Sequence, residues 1–83
     1  MQTADISRIK AGTVLLPGLR RLREGKDLSI RDLGKKAGVA ADTVWRLETL
    51  QRGAEPKTRR NLARALGTTL KELRTPDEED AER

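Results

Sequence analysis

Residues 29–48 read SIRDLGKKAGVAADTVWRLE, and this stretch decides the fold. Ser29, followed three residues later by Asp32, approximates a capping box, which begins a helix. Gly38 is predicted to end that helix in a tight turn, since glycine is favoured just past a helix C-terminus. A second helix is predicted from Val39 to Leu47. The stretch therefore predicts two short helices joined by a tight turn.

The spacing of apolar residues shows which side of each helix is buried. Ile30, Leu33 and Ala37 recur at intervals of three and four, as on the inner face of a helix. Val44 and Leu47 are the predicted inner face of the second helix. Its outward side is then made of Ala41, Asp42, Trp45 and Arg46. A helix held outward in this way fits the major groove of B-DNA, which is about 12 Å wide.

One short helix is predicted before this stretch. Pro17 suits a first helical turn, where its missing N–H costs nothing. Leu19 and Leu22 then form the inner side of an amphipathic helix that ends at Gly25. Residues 1–13 show no clean period, and we expect an N-terminal arm whose structure the pattern leaves open.

Two further helices are predicted after the stretch. Thr58 is the predicted N-cap of a fourth helix that ends at Gly67. Thr69 with Glu72 forms a second capping box and begins a short fifth helix. No segment alternates apolar and polar residues with a period of two, so a sheet is not expected. The predicted fold class is all-α: a compact bundle of about five short helices over residues 14–75.

The composition argues against several classes of function. The 83 residues include no cysteine, histidine or tyrosine, so the usual zinc ligands and the commonest acid–base side chain are missing. We expect no enzyme activity, no metal and no cofactor. No apolar run approaches the roughly 20 residues that span a bilayer, and the start lacks a signal peptide's apolar stretch. A cytoplasmic, nucleoid-associated protein without membrane contact is the resulting prediction.

Positive charge is concentrated in the body of the chain. The whole chain has a net charge of +5. Residues 77–83 contain five carboxylates and one arginine, a net −4, which leaves +9 for residues 1–76. A basic body of this size predicts a polyanionic partner such as nucleic acid, the alternative being a merely solvated surface. We expect residues 76–83 to form a disordered acidic tail.

The sequence from about Leu15 to Leu73 resembles the Cro/phage-repressor (XRE-like) type of helix-turn-helix protein, which has a lambda-repressor-like fold. The resemblance rests on LRRLRE before the turn, LGKKAGV at the turn, TVWRLE in the second helix and PKTRRNLARALGTTLKEL after it. It implies a transcriptional repressor that places a recognition helix in double-stranded DNA, as a homodimer on a pseudo-palindromic operator. The alternative is an antitoxin, whose main partner is a toxin protein and which binds DNA to regulate itself.

Three outward residues of the recognition helix are assigned to base reading. Arg46 can pair with guanine through its guanidinium fork, or form a surface ion pair with Asp42. Asp42 can accept a hydrogen bond from cytosine, or offset the helix dipole and orient Arg46. Ala41 can pack on a thymine methyl group or touch nothing.

Nine residues are assigned to the DNA backbone: Ser29, Arg31, Thr43, Trp45, Arg52, Lys57, Thr58, Arg59 and Arg60. Thr43 matches a phosphate contact of the family, its alternative role being support of the turn. Trp45 lies against the DNA backbone or against the loop at Leu50. The basic residues after the recognition helix contact phosphate or form a solvated face, and Lys35 and Lys36 are expected to be only solvated.

Three residues depart from the family pattern. Ile30 stands where members often have a phosphate-binding glutamine, so Ser29 or Arg31 is expected to replace that contact. Gly34 stands where alanine is usual, which weakens the helix by about 1 kcal/mol. Ala40 stands where serine or threonine usually caps the recognition helix, so that N-terminus is expected to be less well capped.

Overall fold

The computed structural model describes residues 12–76. Its helices are α1 (Leu19–Gly25), α2 (Ile30–Ala37), α3 (Ala41–Glu48), α4 (Pro56–Leu66) and α5 (Leu70–Arg74). Within residues 12–76, β pairing is limited to one antiparallel bridge between Val14 and Ala54. The all-α prediction is therefore confirmed. The arm up to residue 11 and the acidic tail after Pro76 lie outside the described residues.

The core is aliphatic and takes residues from all five helices. Its members are Leu16, Leu19, Leu33, Ala37, Val44, Leu47, Ala54, Leu62, Leu66 and Leu73. Helix α2 packs against both α3 and α4 and so lies centrally. Leu16 and Ala54 join the core because the Val14 and Ala54 backbones exchange two hydrogen bonds, 3.0 and 2.8 Å long. None of the described helices is long and apolar enough to cross a membrane.

Helix α2 begins and ends where its sequence predicts. The Ser29 hydroxyl accepts a hydrogen bond from the Asp32 amide (2.9 Å), and the Asp32 carboxylate accepts one from the Ser29 amide (3.2 Å). The bond from the Ser29 backbone to the carboxylate, followed by a hydrogen bond of the carboxylate with the Ser29 side chain, lowers the pKa of Asp32 below its ordinary value. Gly38 ends the helix with a φ of 71°, in the left-handed region that glycine adopts without a steric penalty.

The predicted start of α4 is wrong. The helix begins at Pro56, and Thr58 lies within its first turn instead of capping it. Proline has its φ fixed near the helical value and lacks the N–H that a first turn leaves unpaired, so it can begin a helix without a side-chain cap. The Glu55 carbonyl accepts the first helical hydrogen bond, from the Arg59 amide at 2.8 Å.

The neighbouring boundaries also shift by one to two residues. Helix α1 starts after Pro17, at Leu19, and includes Gly25. The left-handed residue that follows it is Asp27, with a φ of 59°. Aspartate tolerates this conformation better than most residues, so glycine is not needed there. Helix α3 begins at Ala41 instead of at Val39.

Helix α5 is capped through its first turn. The Thr69 hydroxyl accepts a hydrogen bond from the Glu72 amide at 3.2 Å. The Glu72 carboxylate in turn accepts one from the Thr68 hydroxyl. This bond is the main cause that lowers the pKa of Glu72, followed by a bond with the Thr69 backbone. The cap predicted at Thr69 is therefore present, with Thr68 as an additional donor.

Candidate nucleic-acid interface

Helix α3 has one fully buried face and one exposed face. Val44 and Leu47 have no exposed surface and anchor the helix in the core. The opposite side consists of Ala41, Asp42, Trp45 and Arg46, all exposed. This is the orientation that the apolar spacing predicts. The side chains assigned to base reading therefore share one solvent-facing surface.

The turn before α3 lies very close to Gly34 of α2. A Cβ atom added at Gly34 would be 2.5 Å from the Val39 carbonyl oxygen and 3.4 Å from the Ala41 nitrogen. The Gly34 carbonyl also accepts a hydrogen bond from the Val39 amide at 2.8 Å. Glycine at this position thus lets the turn approach α2 more closely than alanine would. Its lower helix propensity is the cost of that approach.

An ion pair between Glu48 and Arg23 links the C-terminal end of α3 to α1. The Arg23 Nε and Nη2 atoms donate to the two Glu48 carboxylate oxygens, at 2.5 and 3.1 Å. Only 12% of the Arg23 side chain and 4% of the Glu48 side chain are exposed. The hydrogen bond to Glu48 is the main cause that raises the pKa of Arg23. The Nη1 atom donates to the Leu28 carbonyl at 2.7 Å, so the guanidinium also holds the α1–α2 loop.

This ion pair is not among the residues predicted from the sequence, although the spacing of its two members indicates it. Arg23 is four residues after Leu19, on the inner stripe of α1, and Glu48 is four residues after Val44, on the inner stripe of α3. Opposite charges on two apolar stripes must be paired if both stripes are buried.

Helix α3 ends in a Schellman motif with leucine in the position that usually holds glycine. The Gln51 amide donates to the Arg46 carbonyl at 2.9 Å, and the Leu50 amide donates to the Leu47 carbonyl at 3.2 Å. Leu50 has a φ of 60°, in the left-handed region that leucine rarely adopts. The chain therefore leaves the exposed helix through a strained and sharply defined turn.

Asp42 and Arg46 form an ion pair on the exposed face. The Arg46 Nε donates to the Asp42 Oδ2 at 2.8 Å, one helical turn away. The Arg46 side chain is 49% exposed and the Asp42 side chain is 70% exposed, so solvent screens this contact strongly. Arginine has five N–H donors, and this bond uses one of them. The ion pair and a base contact by the outer guanidinium nitrogens are therefore geometrically compatible.

Trp45 borders a cleft at the meeting of α1, α2 and α3. The cleft is about 240 Å³ and is lined by Arg20, Arg23, Ile30, Trp45, Glu48 and Thr49. Trp45 is 46% exposed. Leu50, the loop residue expected beside the indole, does not line this cleft. Ile30 packs here and against the core, which gives it a structural role at the position where the family often has glutamine.

The N-terminus of α3 is not capped by a side chain. Ala40 is the N-cap residue and makes no side-chain hydrogen bond, because its methyl group has no acceptor atom. Thr43, in the first turn, is half-buried. Amide groups of an uncapped first turn point away from the helix and favour anions. This end of α3 can therefore accept a phosphate.

The other residues assigned to the DNA backbone lie at three places. Ser29 and Arg31 are exposed at the start of α2, Arg52 is exposed in the α3–α4 loop, and Lys57, Thr58, Arg59 and Arg60 are in the first turns of α4. The Ser29 hydroxyl accepts the cap bond from the Asp32 amide, and the Ser29 side chain also bonds to the Asp32 carboxylate.

Arg59 differs from its basic neighbours because it makes structural hydrogen bonds. Its Nη1 atom donates to the Ala54 carbonyl at 2.9 Å and to the Gly12 carbonyl at 3.2 Å. It thereby holds the start of α4 to the Val14–Ala54 bridge. Lys57 and Arg60 are exposed, whereas Arg59 is half-buried.

Comparisons with known proteins agree on this architecture. The model of a family described as "Helix-turn-helix domain" matches residues 18–75. No curated protein matches the sequence. Among solved structures, that of the hypothetical transcription factor NHTF from Neisseria is similar, with a TM-score of 0.69 and 23% sequence identity. The match covers 88% of this chain and 84% of that chain, so most of the two folds coincide.

Proposed function

Because the chain belongs to the helix-turn-helix family of DNA-binding domains, we propose that it is a sequence-specific regulator of transcription that reads duplex DNA with α3. The observation that carries this proposal is the fixed outward position of α3. Its inner face is buried, Gly34 holds the turn at its start, and the Arg23–Glu48 pair holds its end. A helix fixed at both ends can present its side chains to the major groove without reordering.

Base reading is assigned to the exposed face of α3. Arg46 donates to the O6 and N7 atoms of guanine, which is the commonest specific contact in the major groove. Asp42 holds Arg46 in place through the 2.8 Å bond, and this restricts the guanidinium before DNA arrives. Ala41, exposed at the start of the helix, packs against a thymine methyl group.

Phosphate contact is assigned to the residues around α3. Thr43 and the uncapped first turn of α3 bind one phosphate, and Ser29 and Arg31 take over the contact that Ile30 cannot make. The remaining assigned residues are Trp45, Arg52, Lys57, Thr58, Arg59 and Arg60. Among the charged members, the exposed Lys57 and Arg60 are expected to contribute more than the half-buried Arg59.

The regulator is proposed to act as a homodimeric repressor on a pseudo-palindromic operator. One recognition helix reads too few base pairs to be selective, so two copies are needed. Residues 14–75 form the DNA-binding domain, residues 1–13 an arm and residues 76–83 an acidic tail. If a toxin protein co-purifies with the chain, the antitoxin assignment replaces that of a free-standing repressor.

Selection of bound sequences from a random pool of duplexes tests the proposal. We expect one enriched site with two-fold symmetry and half-site centres about 34 Å apart. Arg46→Ala should abolish enrichment at one base pair of each half-site. Lys35→Gln, which removes an exposed charge from α2, should leave the selected sequence unchanged. A pool that shows no enrichment, or a single half-site bound by one chain, would refute the proposal.

A further inference from the structure

A groove lined by three arginines lies between α4 and α5. Its lining residues are Pro56, Arg59, Arg60, Ala63, Arg64 and Leu70, and its volume is about 480 Å³. Ala63 and Leu70 contribute apolar lining, while the three arginines contribute positively charged groups. A groove of this kind fits an anionic peptide segment better than a neutral ligand.

The arginine groove continues toward the last described residue. A second cleft, of about 350 Å³, is lined by Leu70, Lys71, Arg74, Thr75 and Pro76. Leu70 lines both clefts, so together they form one band along α4 and α5. This band, the α4–α5 band, ends at Pro76, from which the chain continues directly into Asp77.

The cations of the band have no carboxylate partner in the described part of the chain. Arg20, Arg23 and Arg46 form ion pairs with carboxylates of the described residues. Arg60, Arg64, Lys71 and Arg74 take part in none of them. Arg59 bonds to two backbone carbonyls, which leaves its positive charge uncompensated. Five positive charges therefore lie along the α4–α5 band without a described counter-charge.

The sequence directly after Pro76 supplies matching charges. Residues 77–83 read DEEDAER and contain five carboxylates. Seven residues can extend over about 23 Å. The distance from Arg60 to Arg64 is one helical turn, about 6 Å. The extended segment is therefore several times longer than the spacing of these two arginines, so its carboxylates can reach more than one cation of the band.

We propose that residues 77–82 dock within the same molecule onto the α4–α5 band, with their carboxylates against Arg60, Arg64, Lys71 and Arg74. The segment is tethered directly at the end of the band, so its effective concentration there is in the millimolar range, as for short flexible linkers. Charge complementarity and the tether thus favour this occupant over a free acidic peptide.

Docking has a consequence for the proposed DNA binding, because Arg60 belongs both to the band and to the residues assigned to phosphate. Phosphate and the acidic segment compete for the same guanidinium. A sequence-specific site offers additional base contacts and displaces the segment, whereas random DNA offers phosphates alone. The docked segment therefore lowers affinity for random DNA more than affinity for the operator.

Nuclear magnetic resonance of the full chain without DNA tests the docking itself. The variant neutralises the segment through Asp77→Asn, Glu78→Gln, Glu79→Gln, Asp80→Asn and Glu82→Gln. We expect its amide resonances at Ala63, Arg64 and Leu70 to shift from those of the wild type. High salt should move the wild-type resonances toward the same positions, since it screens the contact. Arg64→Gln should reduce the shifts, and the charge-matched Lys35→Gln should leave them unchanged.

Three outcomes of this measurement would overturn the proposal. Neutralisation that shifts no resonance of the α4–α5 band would show that the segment does not dock. Shifts that disappear on dilution would assign the contact to a second copy of the chain. Shifts confined to α3 would place the segment on the recognition helix. None of these outcomes depends on whether the chain binds DNA, so they are separate from a failure of the proposed function.

A binding cycle with random duplex tests the competition. Neutralising residues 77–82 should tighten binding several-fold at low salt. In an Arg64→Gln background, which weakens docking, the same neutralisation should give a smaller gain. Equal gains in the two backgrounds would mean that the segment acts only by general repulsion of phosphate, and docking would play no part.

Discussion

Arg46 and Asp42 lie one turn apart on the exposed face of α3, and their 2.8 Å bond fixes a side chain that is otherwise free in solvent. An exposed pair of this kind adds little to stability, on the order of 0.3–0.5 kcal/mol. Its main effect is on the freedom of the guanidinium. An arginine already held by a carboxylate loses less entropy when it meets a base.

The pair predicts different results for its two alanine variants. Arg46→Ala should cost about 1–3 kcal/mol of binding on the selected site and little on random duplex. Asp42→Ala should tighten binding to random duplex by removing a negative charge near phosphate, and should weaken the preference at the same base pair. In a double-mutant cycle the two losses of specificity should not add, because the residues act as one unit. If Arg46→Ala weakened binding to selected and to random DNA equally, Arg46 would be identified as a phosphate contact.

Asp32 gives the helix-turn-helix a predictable dependence on pH. Its pKa is lowered because the ionised carboxylate accepts hydrogen bonds from Ser29, so folding favours the charged form. The resulting stability is fully present above the ordinary aspartate pKa of about 4, and is lost as pH falls through the lower pKa of the folded state. Urea unfolding should therefore show that Asp32→Asn is less stable than wild type at neutral pH. The difference should shrink below about pH 4. A difference that stays constant at all pH values would contradict this.

At the level of elements, the close approach of α2 to the turn depends on Gly34. Overpacking a tight contact costs about 1–3 kcal/mol, while alanine gains about 1 kcal/mol of helix propensity over glycine. The atom that a new Cβ would meet, the Val39 carbonyl oxygen at 2.5 Å, is backbone and cannot move away easily. We therefore expect Gly34→Ala to lower the free energy of unfolding by up to about 2 kcal/mol net.

Gly25 provides the matched control for this prediction. It also lies in a helix, α1, but a Cβ added there meets no atom within 4 Å. Gly25→Ala should therefore raise the free energy of unfolding by about 0.5–1 kcal/mol. Thermal unfolding followed by circular dichroism measures both variants. If both alanine variants had a higher free energy of unfolding than the wild type, the turn would be able to relax and the close approach would not be required.

The Arg23–Glu48 pair links two helices and predicts a third stability experiment. Glu48→Gln leaves a buried guanidinium without its counter-charge, which costs about 3–5 kcal/mol in such pairs. The double variant Arg23→Met with Glu48→Leu removes both charges and should recover most of the loss. Arg20→Gln, which breaks the exposed pair of Arg20 and Glu24 and removes no charge that pairs with Arg23, should cost at most about 0.5 kcal/mol. A double variant as unstable as Glu48→Gln would show that the hydrogen bond to the Leu28 carbonyl matters more than the charge balance.

The elements also show how far the sequence predicts this fold and this candidate site. Helix boundaries are predicted where a single local residue decides them, as at Ser29 and Gly38. They are missed at Pro56, which begins α4 through its fixed φ and not through a hydrogen-bonding cap. The exposed face of α3 follows from helical period alone. The ion pair of Arg23 with Glu48 joins residues 25 positions apart, so it depends on how α1 packs against α3, which periodicity does not specify.

For the whole molecule, the separation of charge decides how binding should respond to salt. Residues 1–76 have a net charge of +9 and residues 77–83 a net charge of −4. Cations that neutralise DNA phosphates release condensed counterions, and the affinity then falls linearly on a log–log plot against salt.

The last prediction concerns the slope of that plot. The affinity of the full chain for random duplex should fall with a slope of about −0.9 for each phosphate neutralised. Arg60→Gln removes one exposed cation at the start of α4. It should weaken binding to all DNA sequences alike and reduce the magnitude of the salt slope by about one. Lys35→Gln removes the same charge from α2 and is not assigned to phosphate, so its slope should match that of the wild type. Equal changes in slope for the two variants would mean that only total charge matters, and the assignment of the α4 residues to phosphate would then be wrong.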